Sequence, residues 1–158
     1  MIRSALLAAL MLCAPPAAAD ETDALYLVDH YDARRDPSAD LISAERAAGA
    51  QHKRILLEVG GNWCSWCMLL DRFIAGDAQV RTELARTFVI LKVNFSEENQ
   101  NRAFLSHYRE SPGYPDFIIL DAQGGLLGAQ DTGALERGPS YNRDKLIAFA
   151  RRWRTVVE

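Results

Sequence analysis

Two cysteines separated by two residues, Cys64 and Cys67, stand where an apolar run gives way to an amphipathic pattern, and this junction constrains the fold more than any other feature of the chain. Ile55-Leu56-Leu57-Glu58-Val59, bounded by Lys53-Arg54 and Gly60-Gly61, reads as a short strand buried on both faces of a sheet. From Cys64 to Ile74, Met68, Leu69, Leu70, Phe73 and Ile74 share one helical face, with Asp71 and Arg72 outside it. The pair therefore opens a helix. Free backbone N–H groups and the helix dipole stabilise negative charge there, which lowers the pKa of the first thiol. Cys64 is the expected nucleophile. Cys67, about one turn later, is placed to attack a mixed disulfide formed by Cys64 and so release its partner.

Two other uses of such a pair fit less well. A structural zinc site takes about four ligands, yet no second cysteine pair exists, and His30, His52 and His107 are scattered without ligand spacing. The histidines read as surface residues, and no metal or other cofactor is expected. A purely structural disulfide closing so short a loop removes little chain entropy. It also has no need of the flanking Trp63 and Trp66.

Residues 1–19 read as an address, with Arg3, the apolar stretch Ala5 to Leu12, and Ala17-Ala18-Ala19 before Asp20 as a cleavage site. That stretch is short for a membrane span, and no later segment approaches the roughly 20 apolar residues needed. The expectation is an exported protein without stable membrane insertion. Cys13 falls inside the signal, and Leu12 precedes it where a lipoprotein signal would carry a small residue. Cys64 and Cys67 are then left alone in a compartment where disulfides persist, so a partner must manage their oxidation state. The net charge of −3, one unit more negative without Arg3, comes with no basic stripe and gives no support for nucleic-acid binding.

The remaining length suits one domain. Residues 20–39 read as an N-terminal arm, and residues 40–158 as the folded domain. A helix is expected from Asp40 to Gln51, a strand over Phe88 to Phe95, a helix over Glu97 to Tyr108, and a hairpin joining Phe117-Ile118-Ile119-Leu120 to Leu126-Leu127-Gly128-Ala129 through a Gly-rich turn. Asn142 can cap a last helix that buries Leu146, Ile147, Phe149, Ala150 and Trp153, extending to Val156-Val157. Strand–helix–strand alternation implies a parallel pair and an α/β fold.

The run Leu56-Leu57-Glu58-Val59-Gly60-Gly61-Asn62-Trp63-Cys64-Ser65-Trp66-Cys67 resembles the active-site strand and turn of the thioredoxin superfamily. Lys92-Val93-Asn94 resembles that family's second strand, and Gly113-Tyr114-Pro115 its cis-proline turn. The likeness covers roughly residues 40 to 155 and is strongest to exported, periplasmic members. It implies a thioredoxin fold, with a central mixed sheet flanked by helices and an N-terminal extension, and a thiol–disulfide oxidoreductase activity carried by the cysteines alone.

By the same resemblance, Glu58 matches the buried acid that exchanges a proton with the second cysteine, and Lys92 the lysine beside that acid. A carboxylate in an apolar strand is costly, and desolvation raises its pKa; a plain Glu58–Lys92 ion pair, or an edge carboxylate reaching water, is the structural alternative. The Tyr114–Pro115 bond, which the residues alone leave open as a trans turn, is implied to be cis and to offer a backbone edge to an extended client segment. Trp63 is implied to cover the active site. Trp66 is a large plate beside the sulfurs, suited to core, partner contact or both.

Ser65-Trp66 stands where thioredoxin itself carries Gly-Pro, and Met68 where many relatives have a basic residue. Nothing basic lies between the cysteines, and strong oxidants of this family stabilise their thiolate unusually well. A reducing centre is therefore expected, acting on disulfides of exported proteins with electrons from a membrane-embedded thiol donor. The alternatives are a disulfide oxidase or isomerase of the same fold, or a non-enzymatic module that binds clients with its cysteines locked.

Overall fold

A computed structural model describes residues 25–155. The expected signal with Cys13, the start of the expected arm, and Val156-Val157 lie outside the described residues. The elements in order are β1 (Tyr26–Val28), α1 (Pro37–Gln51), β2 (Arg54–Gly60), α2 (Ser65–Gly76), α3 (Ala78–Ala85), β3 (Phe88–Asn94), α4 (Arg102–Leu105), β4 (Asp116–Leu120) and β5 (Leu126–Asp131). A 3-10 turn (Thr132–Leu135), the small strands β6 (Glu136–Arg137) and β7 (Ser140–Tyr141), and α5 (Arg143–Trp153) complete the chain. Among these residues no helix is long and apolar enough to cross a membrane.

The main sheet has the order β1-β3-β2-β4-β5. β3 runs parallel to β1 and β2, while β4 runs antiparallel to β2 and β5, so the sheet is mixed. Alternation along the central strands divides the core in two. Ile55, Leu57 and Val59 of β2 join Val89, Leu91 and Val93 of β3 against Ala44 and Ala48 of α1. Leu56, Phe88, Ile90, Phe117 and Ile119 face the other way, against Leu70 and Ile74 of α2, Leu84 of α3 and Phe149 of α5. Phe149 stacks on both Phe88 and Phe117, at 5.5 and 5.4 Å between ring centroids. By the same parity Glu58 and Lys92, partners in the β2–β3 register, project toward the α2 side.

Several boundaries differ from the sequence expectation, each for a local reason. Within the arm expected over residues 20–39, Tyr26–Val28 is an edge strand of the sheet. α1 begins at Pro37 because Asp36 caps it, accepting a bond from Ser38 N–H, so the boundary placed at Asp40 falls inside the helix. α3 went unforeseen; Asp77 closes α2 and caps α3 at once, accepting from the N–H groups of Gln79 and Val80. The helix expected over Glu97 to Tyr108 shrinks to the single turn α4. Asn94, Ser96, Asn99 and Asn101 bind the backbone of that segment with their own side chains and hold it in a loop. α5 is capped by Asn142 as its sequence indicates.

Candidate active site

β2 ends at Gly60, and the turn that follows brings the Cys64 N–H onto the Gly61 carbonyl at 3.0 Å. Cys64 is the N-cap of α2, extended at φ −87° and ψ 108°, and its Sγ accepts from the Cys67 N–H at 3.1 Å. The sulfur thus sits among the unpaired N–H groups of the helix start. Cys64 and Cys67 are joined in a disulfide. Cys67 is wholly buried, whereas Cys64 keeps 5% of its surface exposed. An incoming group therefore reaches Cys64 first.

Gly60 floors the site. A Cβ there would stand 2.6 Å from Cys67 Sγ and 2.9 Å from the Tyr31 hydroxyl, so the strand and the sulfur approach this closely only because the residue has no side chain. Glu58, two residues earlier, is fully buried. Its Oε1 accepts from the Tyr31 hydroxyl at 2.7 Å, and its Oε2 has no partner among the described residues. Burial pushes the Glu58 carboxyl up to about 7, with the nearby Asp71 carboxylate adding to the rise and Lys92 and the Tyr31 bond opposing it.

Lys92 is not simply the partner of Glu58. Its Nζ bonds Asp71 Oδ1 at 2.5 Å and stands 3.9 Å from Glu58 Oε1. The ammonium also lies over the rings of Tyr31 and Tyr26, 4.9 and 5.4 Å from their centroids. The structural ion-pair alternative is thereby altered, since one cation is shared between two carboxylates and held nearer to Asp71. Asp71, expected outside the buried face of its helix, turns back toward the sheet to meet that cation.

An aromatic ridge borders the sulfurs. Trp63 is 58% exposed, donates Nε1–H to the Phe95 carbonyl at 2.6 Å and makes a T-shaped contact with Tyr114 at 5.6 Å between ring centroids. Phe95 stacks on Tyr114 at 4.9 Å. Tyr114 also packs against the cysteines, and the Tyr114–Pro115 peptide is cis. The Pro115 carbonyl accepts from Thr132 Oγ1 and so points into the chain. Trp66 is half-buried, packed against the cysteine cluster on one side and in a T-shaped contact with Tyr141 at 5.6 Å between ring centroids.

The structure therefore gathers Cys64, Cys67, Glu58, Lys92, Trp63, Tyr114 and Pro115 at one end of the sheet, and packs Trp66 against both the cysteines and the larger core. Sequence reasoning missed Tyr31, Asp71 and Phe95. Asp71 was detectable, because it lies four residues after Cys67 and thus on the same helical face. Tyr31 carried no such signal.

A mixed sheet presenting a Cys-x-x-Cys disulfide at a helix start, above a buried acid, defines a thioredoxin-fold thiol–disulfide oxidoreductase. The chain belongs to the thioredoxin-like family, whose model matches residues 36–122. It is 28% identical over 90 residues to the thiol:disulfide interchange protein DsbD of Yersinia pestis (strain Pestoides F), a match covering 56% of this chain and 15% of that protein. With the protein of the same name from Citrobacter koseri it is 31% identical over 77 residues, covering 49% and 13%. The chain thus matches only a small part of these relatives' length. The disulphide isomerase of Xylella fastidiosa Temecula1 shares the fold with a TM-score of 0.66 at 22% identity, over 77% of this chain and 94% of that one. The oxidised C-terminal domain of Neisseria meningitidis DsbD does so with a TM-score of 0.54 at 17% identity, over 75% and 97%.

Proposed function

We propose that this protein is a periplasmic reductant of disulfides in exported proteins, recharged by a membrane-embedded thiol donor. Cys64 thiolate attacks a client disulfide, forming a mixed disulfide and expelling one client thiolate. Cys67 then loses its proton and attacks Cys64 Sγ, which expels the second client thiolate and closes the Cys64–Cys67 bond. The client gains two electrons, the dithiol loses two, and the client thiolates take up protons. Glu58 is the acceptor for the Cys67 proton, and the exposed ridge of Trp63, with the edge at Tyr114 and Pro115, receives the client.

The observation that carries the reducing direction is the charge beneath the cysteines. Two carboxylates, Glu58 and Asp71, share the single ammonium of Lys92. An excess of negative charge disfavours a neighbouring thiolate. Destabilised thiolates favour the disulfide, which makes the dithiol a better reductant. The absence of any basic residue between Cys64 and Cys67 acts in the same direction.

Equilibration with graded glutathione or dithiothreitol buffers tests this reading. The midpoint is expected nearer to thioredoxin, at roughly −270 mV, than to a strong oxidant, at roughly −120 mV. A midpoint close to the second value overturns the reductase and makes the protein a disulfide oxidase.

A further inference from the structure

Tyr31 lies ahead of residue 36, where the match to the family model begins, yet it is almost wholly buried against Cys64 and Cys67. Its backbone is pinned on either side of the turn that leads to α1: Asn62 Nδ2 donates to the Tyr31 carbonyl at 3.1 Å, and Asn99 Nδ2 to the Ala33 carbonyl at 2.8 Å. Its hydroxyl donates to Glu58 at 2.7 Å. The same oxygen and Cys67 Sγ both lie within 2.9 Å of the point where a Gly60 side chain would start. The phenol oxygen therefore bonds the carboxylate and shares the Gly60 floor with the Cys67 sulfur, with a lone pair still able to accept.

We propose that the Tyr31 hydroxyl is the relay through which Cys67 passes its proton to Glu58. This inference rests on the reading of Glu58 as the acceptor in thiol exchange. As Cys67 attacks Cys64 Sγ in the mixed disulfide, its S–H proton moves to the Tyr31 oxygen while the Tyr31 proton moves to Glu58 Oε1. Tyrosine is regenerated unchanged, Glu58 becomes a neutral carboxylic acid, the electron pair freed on Cys67 forms the new S–S bond, and the client sulfur leaves Cys64 as a thiolate with the pair of the bond that breaks.

The surroundings suit a hop and not a stable tyrosinate. Burial and the neighbouring Glu58 carboxylate hold the Tyr31 phenol well above its ordinary pKa, so it carries a proton at all times. The charged and titratable groups that face this point are Glu58 on β2, Lys92 on β3, Asp71 and Cys67 on α2, and Tyr26 on β1. Among these, Tyr31 is the group that bonds Glu58 and also packs in the buried cluster with Cys67. Lys92, over the Tyr31 ring, holds the phenol in place by its face.

The test mixes the reduced full-length protein with oxidised glutathione and follows mixed-disulfide formation and its resolution by rapid acid quench. Tyr31→Phe and Glu58→Gln are each expected to slow resolution about tenfold at pH 7, leaving formation unchanged, with the deficit vanishing toward alkaline pH. In the double variant the Tyr31 change adds nothing to the Glu58 change, because both act on one proton. Fast resolution in Tyr31→Phe beside slow resolution in Glu58→Gln overturns the relay and leaves the acid standing. Full additivity overturns it too, by showing a separate structural effect. Fast resolution in Glu58→Gln removes the acid itself, and the relay with it. Should Tyr31→Phe not fold, difluorotyrosine at position 31 keeps the ring and acidifies the hydroxyl; the resolution–pH curve then moves to lower pH, and an unmoved curve overturns the proposal.

Discussion

Cys64→Ser is expected to lose disulfide exchange by at least roughly three orders of magnitude, because the more exposed of the two cysteines is removed and a serine hydroxyl is not ionised near neutral pH. Cys67→Ser is expected to fail differently. Cys64 still attacks, but nothing resolves the product, so the protein accumulates as a covalent adduct with its client. Non-reducing electrophoresis and mass measurement of both variants, incubated with a disulfide-bearing protein, separate the two roles. The asymmetry follows from the helix start: Cys64 caps α2 at the surface, whereas Cys67 is sealed beneath it. Adducts in Cys64→Ser but not in Cys67→Ser would reverse the assignment.

Glu58→Gln is expected to make the protein more stable and less active. The carboxyl titrates near 7 in the folded protein against an ordinary value of 4.5. Between these values the folded state binds more protons at this site than the unfolded state, so its contribution to stability falls as pH rises through the window. Above about pH 7 the ionised, buried side chain costs on the order of 3 kcal/mol. Removing the charge recovers up to that amount at pH 8 and little at pH 4. Denaturant unfolding of both proteins at the two pH values measures the difference. The activity moves the opposite way, through the slower resolution already described. A variant destabilised equally at both pH values would mark Glu58 as the anchor of an ion pair with Lys92, which is the structural alternative.

That opposition between stability and activity is what a buried acid retained for chemistry produces. The residue was legible in the sequence because it interrupts an apolar strand six positions before Cys64, and strand parity then placed it beneath the α2 side. The same logic made β2, β3, the β4–β5 hairpin and the Asn142 cap legible, since each rests on a local pattern of two, three or four residues. Features that depend on long-range contact were not. β1 is a three-residue edge strand whose only regular partner is β3, and a short apolar patch in a polar stretch does not reveal its partner. Tyr31 joins the site only because that strand and two asparagine side chains fix its turn. Asp71 shares a helical face with Cys67 by spacing, but its charge reads as outward until the buried lysine on the facing strand is known to draw it in. The loop between β3 and α4 reads as helix by its apolar spacing, but its asparagines and serine bind the backbone more effectively than a helix does.

The central claim, that Cys64 and Cys67 together deliver two electrons to a client disulfide, is tested most directly by one transfer experiment. The protein is reduced, freed of reductant and mixed with an equimolar protein that carries one accessible disulfide, and the thiols of both are counted by alkylation and mass. The account predicts that the client gains two thiols for each Cys64–Cys67 disulfide that forms, with no other residue altered. A dithiol that stays reduced beside an intact client disulfide would contradict it.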